Sequence, residues 1–356
     1  MKTLDRYIAK SVFAAVLIVQ MLLLGLDLML ALVNELDNLN DSYQLSNALY
    51  YVMLSAPRRF YDLVPVGVMV GALIGLGSLA SNNELAVIRA AGVSITRIIW
   101  SVMKPMLLII AVTAFVGEFI SPKTEVEAQN YRTMKRWDTS NAAGKWGVWL
   151  RDGNDYFYFR SIRTDGKLSG IQRHSFDEAG KKLLSITYAQ SGHYDFDKKG
   201  WVLDQAVKAS IGNHRVRNEQ VSSIFWSSDL KPELMKVIIL EQRYLAPSDL
   251  WRYSQYLKDQ GLKSHEHEMA FWQKVLMPLT LSSLVLVAAS FVFGPLRSAP
   301  AGTRVFSGVI VGLAVKYVQD ILGPASVVYG FDPVWAVLTP AIGCALYGVV
   351  LIRRTG

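Results

Sequence analysis

Six apolar stretches flank one polar block, three before it and three after it. They cover residues 11–33, 63–80, 98–120, 275–293, 305–322 and 334–352. A helix needs about 20 apolar residues to cross the hydrocarbon core of a bilayer. The composition, 51% hydrophobic and 19% charged, agrees with several such segments. The sequence therefore predicts an α-helical membrane protein with six transmembrane helices and one folded domain outside the membrane.

Basic residues in alternate connections predict the orientation of these spans. Four segments carry them, at Lys2, Arg6, Lys10, Arg89, Arg97, Arg297, Arg304, Arg353 and Arg354. In the connection 34–62 acids outnumber Arg58 and Arg59, and the link 323–333 has no basic residue. Because positive charge is retained on the cytoplasmic side, both termini are predicted to be cytoplasmic and the polar block external. The net charge of +8 then reflects topology and anionic headgroups rather than nucleic-acid binding.

The external block has the pattern of a β-domain. Short runs of β-branched and aromatic residues, separated by turn signals such as Asp152-Gly153, predict strands at 145–150, 155–161, 168–176, 183–196, 200–207 and 221–226. Successive short strands predict a sandwich or jelly roll. Its edge strands either pair with another β-domain or are blunted by solvent-facing lysines. We therefore divide the chain into membrane helices 1–121, a β-jelly-roll-like domain 122–247, a helical connection 248–271 and membrane helices 272–356.

Motifs for catalysis, metal binding or nucleotide binding are missing from the sequence. The chain has no Gly-x-x-x-x-Gly-Lys-Ser/Thr segment, so ATP-driven work would need a separate subunit. His265 and His267 point to nearly opposite faces of the helix that Ser264 is predicted to start, which favours a solvated helix start over a metal site. The lone Cys344 excludes an intrachain disulfide. An enzymatic role is not predicted.

Charged residues within the apolar stretches are costly in lipid and tend to face a cavity or a partner. They include Asp27, Glu118, Lys316 and Asp320. The i, i+4 spacing of Lys316 and Asp320 allows a self-neutralising pair, and a polar point in a substrate cavity is the alternative. Glycines also recur in the spans, at Gly67, Gly71, Gly75, Gly308 and Gly312, and predict close helix packing.

The connection 81–92 has the signals of a short capped helix. Asn82 or Asn83 is the predicted N-cap, Glu84 lies in the first turn, and Gly92 is the predicted stop. Such a helix is too short to be stable alone in water. It is typical of a membrane subunit that docks on a cytoplasmic motor, although an ordinary capped turn remains open.

Four motifs resemble those of the lipopolysaccharide export permease family. They are Leu4-Asp-Arg-Tyr-Ile, Asn83-Glu-Leu with Ala91-Gly92, Gly117-Glu118 with Pro122 and Asn130-Tyr-Arg132, and Phe293-Gly-Pro-Leu-Arg297-Ser with Pro300, Gly302 and Arg304. The resemblance covers the whole chain. It implies a half-permease without cofactors that pairs with LptF, sits on an LptB ATPase dimer and passes lipopolysaccharide toward LptC and LptA in the bacterial inner membrane.

The resemblance also implies two sets of site residues. Those expected to couple to the ATPase are Glu84, Leu85, Ile88, Arg89 and Gly92, and those expected to contact lipopolysaccharide are Arg58, Arg59, Arg132, Lys316, Val309 and Leu313. Family members can carry basic residues where this chain has Ala31, Asp37, Asn38 and Gln129. We therefore expect Lys316, with Arg58 and Arg59, to restore positive charge toward the lipid phosphates.

Two other functions remain open from the sequence. A permease or scaffold of a different ABC exporter would share the coupling helix without binding a phosphorylated glycolipid. An ion-coupled transporter would use Asp27, Lys316 and Asp320 as a proton path.

Overall fold

The computed structural model describes residues 2–40, 42–136, 148–162, 168–177, 181–212, 215–227, 241–294 and 299–355. Residues 145–147 of the first predicted strand and Arg297 lie outside the described residues. The chain forms two compact units: a membrane unit of residues 1–129, 246–248 and 265–356, and a second unit of residues 130–245 and 249–264.

Helices make up most of the membrane unit and both ends of the second unit. They are α1 Lys2–Leu36, α2 Leu45–Leu54, α3 Ala56–Ser81, α4 Glu84–Ala90, α5 Ile95–Phe115, α6 Ser121–Arg136, α7 Pro247–Asp259, α8 His265–Val275, α9 Met277–Phe293, α10 Ala301–Tyr329 and α11 Pro333–Thr355. A π-helical turn, Val116–Ile120, joins α5 to α6.

Five helical segments of the described residues are long and apolar enough to cross a membrane, or six if α8 and α9 form one bent span. The segments are Thr3–Leu36, Ala56–Ser81, Ile95–Arg132, Val305–Ser326 and Pro333–Arg354, with the pair His265–Val275 and Met277–Phe293 bent by 52°. The bend falls beside Pro278, which lies in the first turn of α9 and has no backbone N–H to donate. The fourth predicted span thus begins as a helix at Met277.

Glycines on α3 set the packing of the membrane unit. A Cβ added at Gly71 would collide with the Val16 backbone of α1, and one added at Gly75 would lie 2.8 Å from the Val12 Cα. On α10, a Cβ at Gly308 would lie 2.5 Å from Leu73 of α3. The predicted role of these glycines in close helix packing is confirmed. α3 therefore lies between α1 and α10.

The second unit contains one antiparallel sheet. Its strands are β1 Val148–Asp152, β2 Asp155–Ile162, β3 Leu168–Phe176, β4 Leu183–Asp195, β5 Gly200–Ile211 and β6 Val216–Ser227. Neighbours in the chain are neighbours in the six-stranded sheet, so the strand order is that of a meander. The predicted β-domain between the third and fourth spans is confirmed.

Aromatic side chains fill the buried face of this sheet. Phe157 and Phe159 lie two residues apart on one face of β2, and both are fully buried. The Trp226 ring stacks on Phe157 with ring centroids 3.9 Å apart, and its Nε1–H donates to Asp152 Oδ2 at 3.0 Å. The domain thus has an apolar core without a disulfide.

Candidate functional site

Helix α4 is a short helix with a defined stop between α3 and α5. Gly92 has φ +84°, and its N–H donates to the Arg89 carbonyl at 2.9 Å while the Val93 N–H donates to the Ile88 carbonyl at 3.3 Å. These two bonds form a Schellman motif, which requires a left-handed residue that glycine adopts without strain. The helix therefore ends where the sequence predicts.

The start of α4 differs from the prediction. Asn83 occupies the N-cap with φ 61° and makes no side-chain capping bond. The Asn82 amide instead lies 3.5 Å from Glu84 Oε1. A left-handed asparagine at this position turns the chain sharply from α3 into α4. The asparagines thus set the turn and orient Glu84 rather than cap the helix.

The two faces of α4 have different roles. Leu85 and Ile88 are buried in the core of the membrane unit, so they anchor the helix and leave little surface for a partner. Val87 projects outward and is 67% exposed. Arg89 is half-buried beside Phe293. Val87 is therefore the large apolar side chain that α4 exposes, and sequence reasoning missed it because a seven-residue helix has too few turns to define its buried face.

Two contacts connect the α4 region to the start of α1. The Tyr7 hydroxyl of α1 interacts with the Glu84 carboxylate. On the same helix, Asp5 accepts hydrogen bonds from Nε and Nη2 of Arg97 in α5, each at 3.3 Å. This forked geometry restrains direction as well as distance. Glu84 is thus the group of α4 that interacts with α1, while Arg97 connects α1 to α5.

A network of charged residues lies at the other end of the membrane unit. Arg58 of α3 donates from Nε to Glu125 Oε2 of α6 at 3.0 Å and from Nη1 to Asp62 Oδ2 at 2.9 Å. The Arg58 side chain is 15% exposed and that of Glu125 is 0% exposed. Glu125 also accepts from the Gln129 amide at 2.7 Å. Arg58 is therefore held by two carboxylates.

The neighbouring Arg59 faces α1. Its Nη1 donates to Asp27 Oδ2 at 2.8 Å, and its Nε donates to Ser55 Oγ at 3.0 Å. Asp27, which the ion-coupled alternative would use in a proton path, is thus bound to a guanidinium. Both predicted arginines have protein partners, which limits the charge they can offer a lipid.

Lys316 of α10 is exposed, and so is Asp320 one turn later. Among the described residues no ion pair joins the two, and the carboxylate that interacts electrostatically with Lys316 is Asp62 of α3. Of the predicted apolar contacts on α10, Leu313 is exposed and Val309 is half-buried. Arg132 lies on α6 in the second unit and is half-buried.

Exposed apolar residues form a continuous stripe on α1 and another on α10, which we name the gate faces. On α1 the stripe consists of Ile18, Leu22, Leu26, Met29 and Val33, and on α10 of Phe306, Ile310, Leu313, Tyr317 and Ile321. Spacings of three and four residues place each set on one helical face. Lys316 adjoins the second stripe and brings a positive charge to it.

Comparisons with known proteins show the family to which the chain belongs. The sequence signature of the family described as lipopolysaccharide export system permease LptF/LptG matches residues 6–354. The chain belongs to this family. It is similar to the LptG permease protein of Escherichia coli K12, with 33% identity over 353 residues that cover 99% of this chain and 98% of the relative. It is also similar to LptG of Haemophilus influenzae, with 32% identity over 341 residues that cover 96% and 95%.

Family membership decides between the functions that the sequence left open. The chain is a multi-pass inner-membrane protein and a permease subunit of the lipopolysaccharide export system. Because residues 6–354 match, the signature includes the β-domain as well as the helices.

Proposed function

We propose that this permease extracts lipopolysaccharide from the outer leaflet of the inner membrane as one half of a pair with LptF. A separate LptB dimer hydrolyses the ATP, and the chain itself is a non-catalytic subunit. The lipid then passes to LptC and LptA. The observation that carries this proposal is the contact of α4 with α1. It connects the helix on which we propose that the ATPase docks to the helix that we propose contacts lipopolysaccharide.

The motor is proposed to dock on the exposed side of α4. That surface consists of Glu84, Val87, Arg89 and Gly92. Leu85 and Ile88 are buried on the opposite side of the helix and attach it to the membrane unit. When the ATPase dimer closes, α4 moves as a rigid body and shifts α1 through Tyr7 and Glu84. A helix anchored by buried side chains is stiff enough to transmit such a step.

The gate faces are proposed to hold the acyl chains. Burial of a methylene in an apolar environment contributes about 0.8 kcal/mol, so several chains bind firmly and their release needs work from the motor. Leu313 and Val309 would contact the chains directly.

Lys316 is proposed as the main phosphate ligand of this subunit. It is exposed beside the gate face of α10 and interacts with Asp62, a carboxylate that it shares with Arg58 and Lys274. Arg58 and Arg59 are proposed to contribute to the positive potential at the lipid phosphates although both are ion-paired. Arg132 is proposed to contact the lipid after it has left the membrane helices. An ammonium at a low-dielectric surface attracts a phosphate strongly.

The β-domain is proposed to lie in the periplasm as the first segment of a bridge. β1 and β6 each pair on one side only among the described strands, so each offers an edge for addition of a strand from LptC or LptA. We assign residues 1–121 and 272–356 to the membrane, 122–247 to this domain and 248–271 to the helical return. Both termini would lie in the cytoplasm.

The test is purification of the tagged chain from its native membranes, followed by mass spectrometry of bound protein and lipid. We expect an ATPase dimer, a paralogous permease and lipopolysaccharide. Glu84→Ala should lose or uncouple the ATPase, whereas the exposed control Glu127→Ala on α6 should retain it. Recovery of the chain without an ATPase, or an ATPase indifferent to Glu84, would contradict the proposal.

A further inference from the structure

A cavity of about 460 Å³ lies beside the π-helical turn, and none of its lining residues belongs to a gate face. Its walls come from α3, α5, the π turn, α8 and α9, and they include Tyr61, Ala114, Phe115, Glu118, Lys274 and Leu281. The volume lies within the range of about 300–1,000 Å³ that is typical of small-ligand sites. π turns are frequent at functional sites because they displace side chains from regular helical positions.

Two opposite charges line this otherwise apolar cavity. The Lys274 ammonium lies 5.6 Å from the centroid of the Tyr61 ring and interacts with the carboxylates of Asp62 and Glu118. The Tyr61 ring packs on Gly117, where an added Cβ would collide with it. A ligand with a single charge would leave a net charge among these already interacting groups in a low-dielectric wall, whereas a zwitterion offers an anion to Lys274 and a cation to Glu118 and adds no net charge.

A line of exposed side chains on α5, which we call the groove, leads away from the charged pair. Leu107, Ala111 and Ala114 are exposed and recur at spacings of four and three residues, ending at Glu118. The small alanines leave room between larger neighbours for a hydrocarbon chain. With the predicted orientation, the charged end lies toward the outer leaflet and the groove runs toward the bilayer centre.

We propose that this cavity binds an amine-bearing zwitterionic phospholipid, with its phosphate at Lys274, its ammonium at Glu118 and one acyl chain along Ala111 and Ala114. Tyr61 and Phe115 border the headgroup, and the ring face of Phe115 favours the lipid ammonium. This site goes beyond the proposed function, since its ligand is a resident membrane lipid and its residues are not those of the gate faces. It lets a bilayer lipid stabilise the contact between α5 and α9.

The test uses the complete permease complex, extracted in polymer nanodiscs from membranes that contain phosphatidylethanolamine and phosphatidylglycerol. Retained lipids are quantified by mass spectrometry, and a photoreactive phosphatidylethanolamine is mapped by peptide. We expect labelling within residues 107–119. Lys274→Gln should lower retention of both lipids about tenfold, the loss typical of one charge-assisted hydrogen bond. Glu118→Gln should lower retention of phosphatidylethanolamine alone.

Two variants separate binding from folding. Ala114→Trp fills the groove and leaves both charges in place, so it should abolish labelling at residues 107–119. Lys274→Arg keeps the charge and should retain the lipid. The control Lys104→Gln makes the same charge change at an exposed position of α5 and should behave as the unmodified chain.

Equal retention in all variants would overturn the proposal, as would labelling elsewhere or equal preference for the two lipids in the unmodified complex. Lipopolysaccharide recovered in the same preparation tests the proposed function separately. Loss of phospholipid binding at the cavity and loss of lipopolysaccharide can therefore be observed independently of each other.

Discussion

Arg59 of α3 and Asp27 of α1 form an ion pair, with Nη1 and Oδ2 2.8 Å apart. The pair joins the two helices next to Leu26 of the α1 gate face. The family resemblance predicts that Arg59 faces lipid, and Asp27 is a costly charge within a span. Each charge is thus neutralised by the other, and the ion pair holds the α1 gate face in position relative to α3.

The first prediction concerns this ion pair. Asp27→Asn and Arg59→Gln should each lower stability, and the double variant should lose less than the sum of the two. We expect a coupling energy of about 1 kcal/mol, in the range measured for polar contacts between membrane helices. Thermal unfolding in detergent of the single and double variants gives this energy. Strict additivity would show that the two side chains do not interact.

The second prediction concerns the glycine contact between α3 and α1. Gly71→Val should destabilise the membrane unit by about 1–3 kcal/mol, because the new side chain meets the Val16 backbone, which cannot move aside. Gly25→Ala is the matched control, since a Cβ there meets no atom within 4 Å. Thermal unfolding should separate the two variants, and an unchanged Gly71→Val would contradict the packing.

The third prediction concerns the end of α4. Gly92→Val should strain the left-handed position by about 1–2 kcal/mol, whereas Gly92→Asn should be tolerated because asparagine adopts this conformation. Hydrogen exchange at residues 88–93 should rise in the valine variant, with less ATPase recovered on purification. Similar exchange in both variants would argue against a role of the Schellman motif.

The fourth prediction separates the two faces of α4. Val87→Ser should reduce recovery of the ATPase and leave thermal unfolding unchanged, because Val87 is exposed. Leu85→Ala should instead lower the free energy of unfolding by about 2–5 kcal/mol, the cost of emptying a buried site. If Val87→Ser retained the ATPase in full, the docking surface would lie elsewhere.

The fifth prediction concerns the charges around Lys316. Lys316→Gln should weaken crosslinking to lipopolysaccharide, and Asp62→Asn should strengthen it, because the carboxylate competes with the lipid phosphate for Lys316. Asp320→Asn should have no effect, since no ion pair joins it to Lys316 in the described chain. Opposite signs for Lys316→Gln and Asp62→Asn distinguish this competition from general destabilisation.

The broad architecture could be predicted from sequence because apolar length, glycine spacing and β alternation are local signals. The spans, the close helix packing at Gly71 and the strand run from Leu183 required no knowledge of distant residues. Lys145 to Gly147 lie outside the described residues, so the start of the first strand stays a prediction.

The partners of charged residues could not be predicted in this way. Arg58 meets Glu125, 67 positions later, and Lys316 interacts with Asp62 on another helix rather than with Asp320 one turn away. Such choices depend on how helices rotate in the bundle, which no local pattern encodes. For the same reason, the sequence indicated that α4 exists without revealing that Val87 faces outward.

The π turn Val116–Ile120 determines in which direction the side chains of α6 point around the helix axis. Consecutive residues of an α-helix are separated by about 100° around the axis, so removal of one residue here would turn α6 by that angle. Glu125 would then leave Arg58, and Glu118 would leave the cavity that holds Lys274. The extra residue of the π turn thus orients the side chains of two separate sites, the Arg58–Glu125 ion pair and the cavity lined by Glu118 and Lys274. A single-residue deletion at this point should disturb both sites.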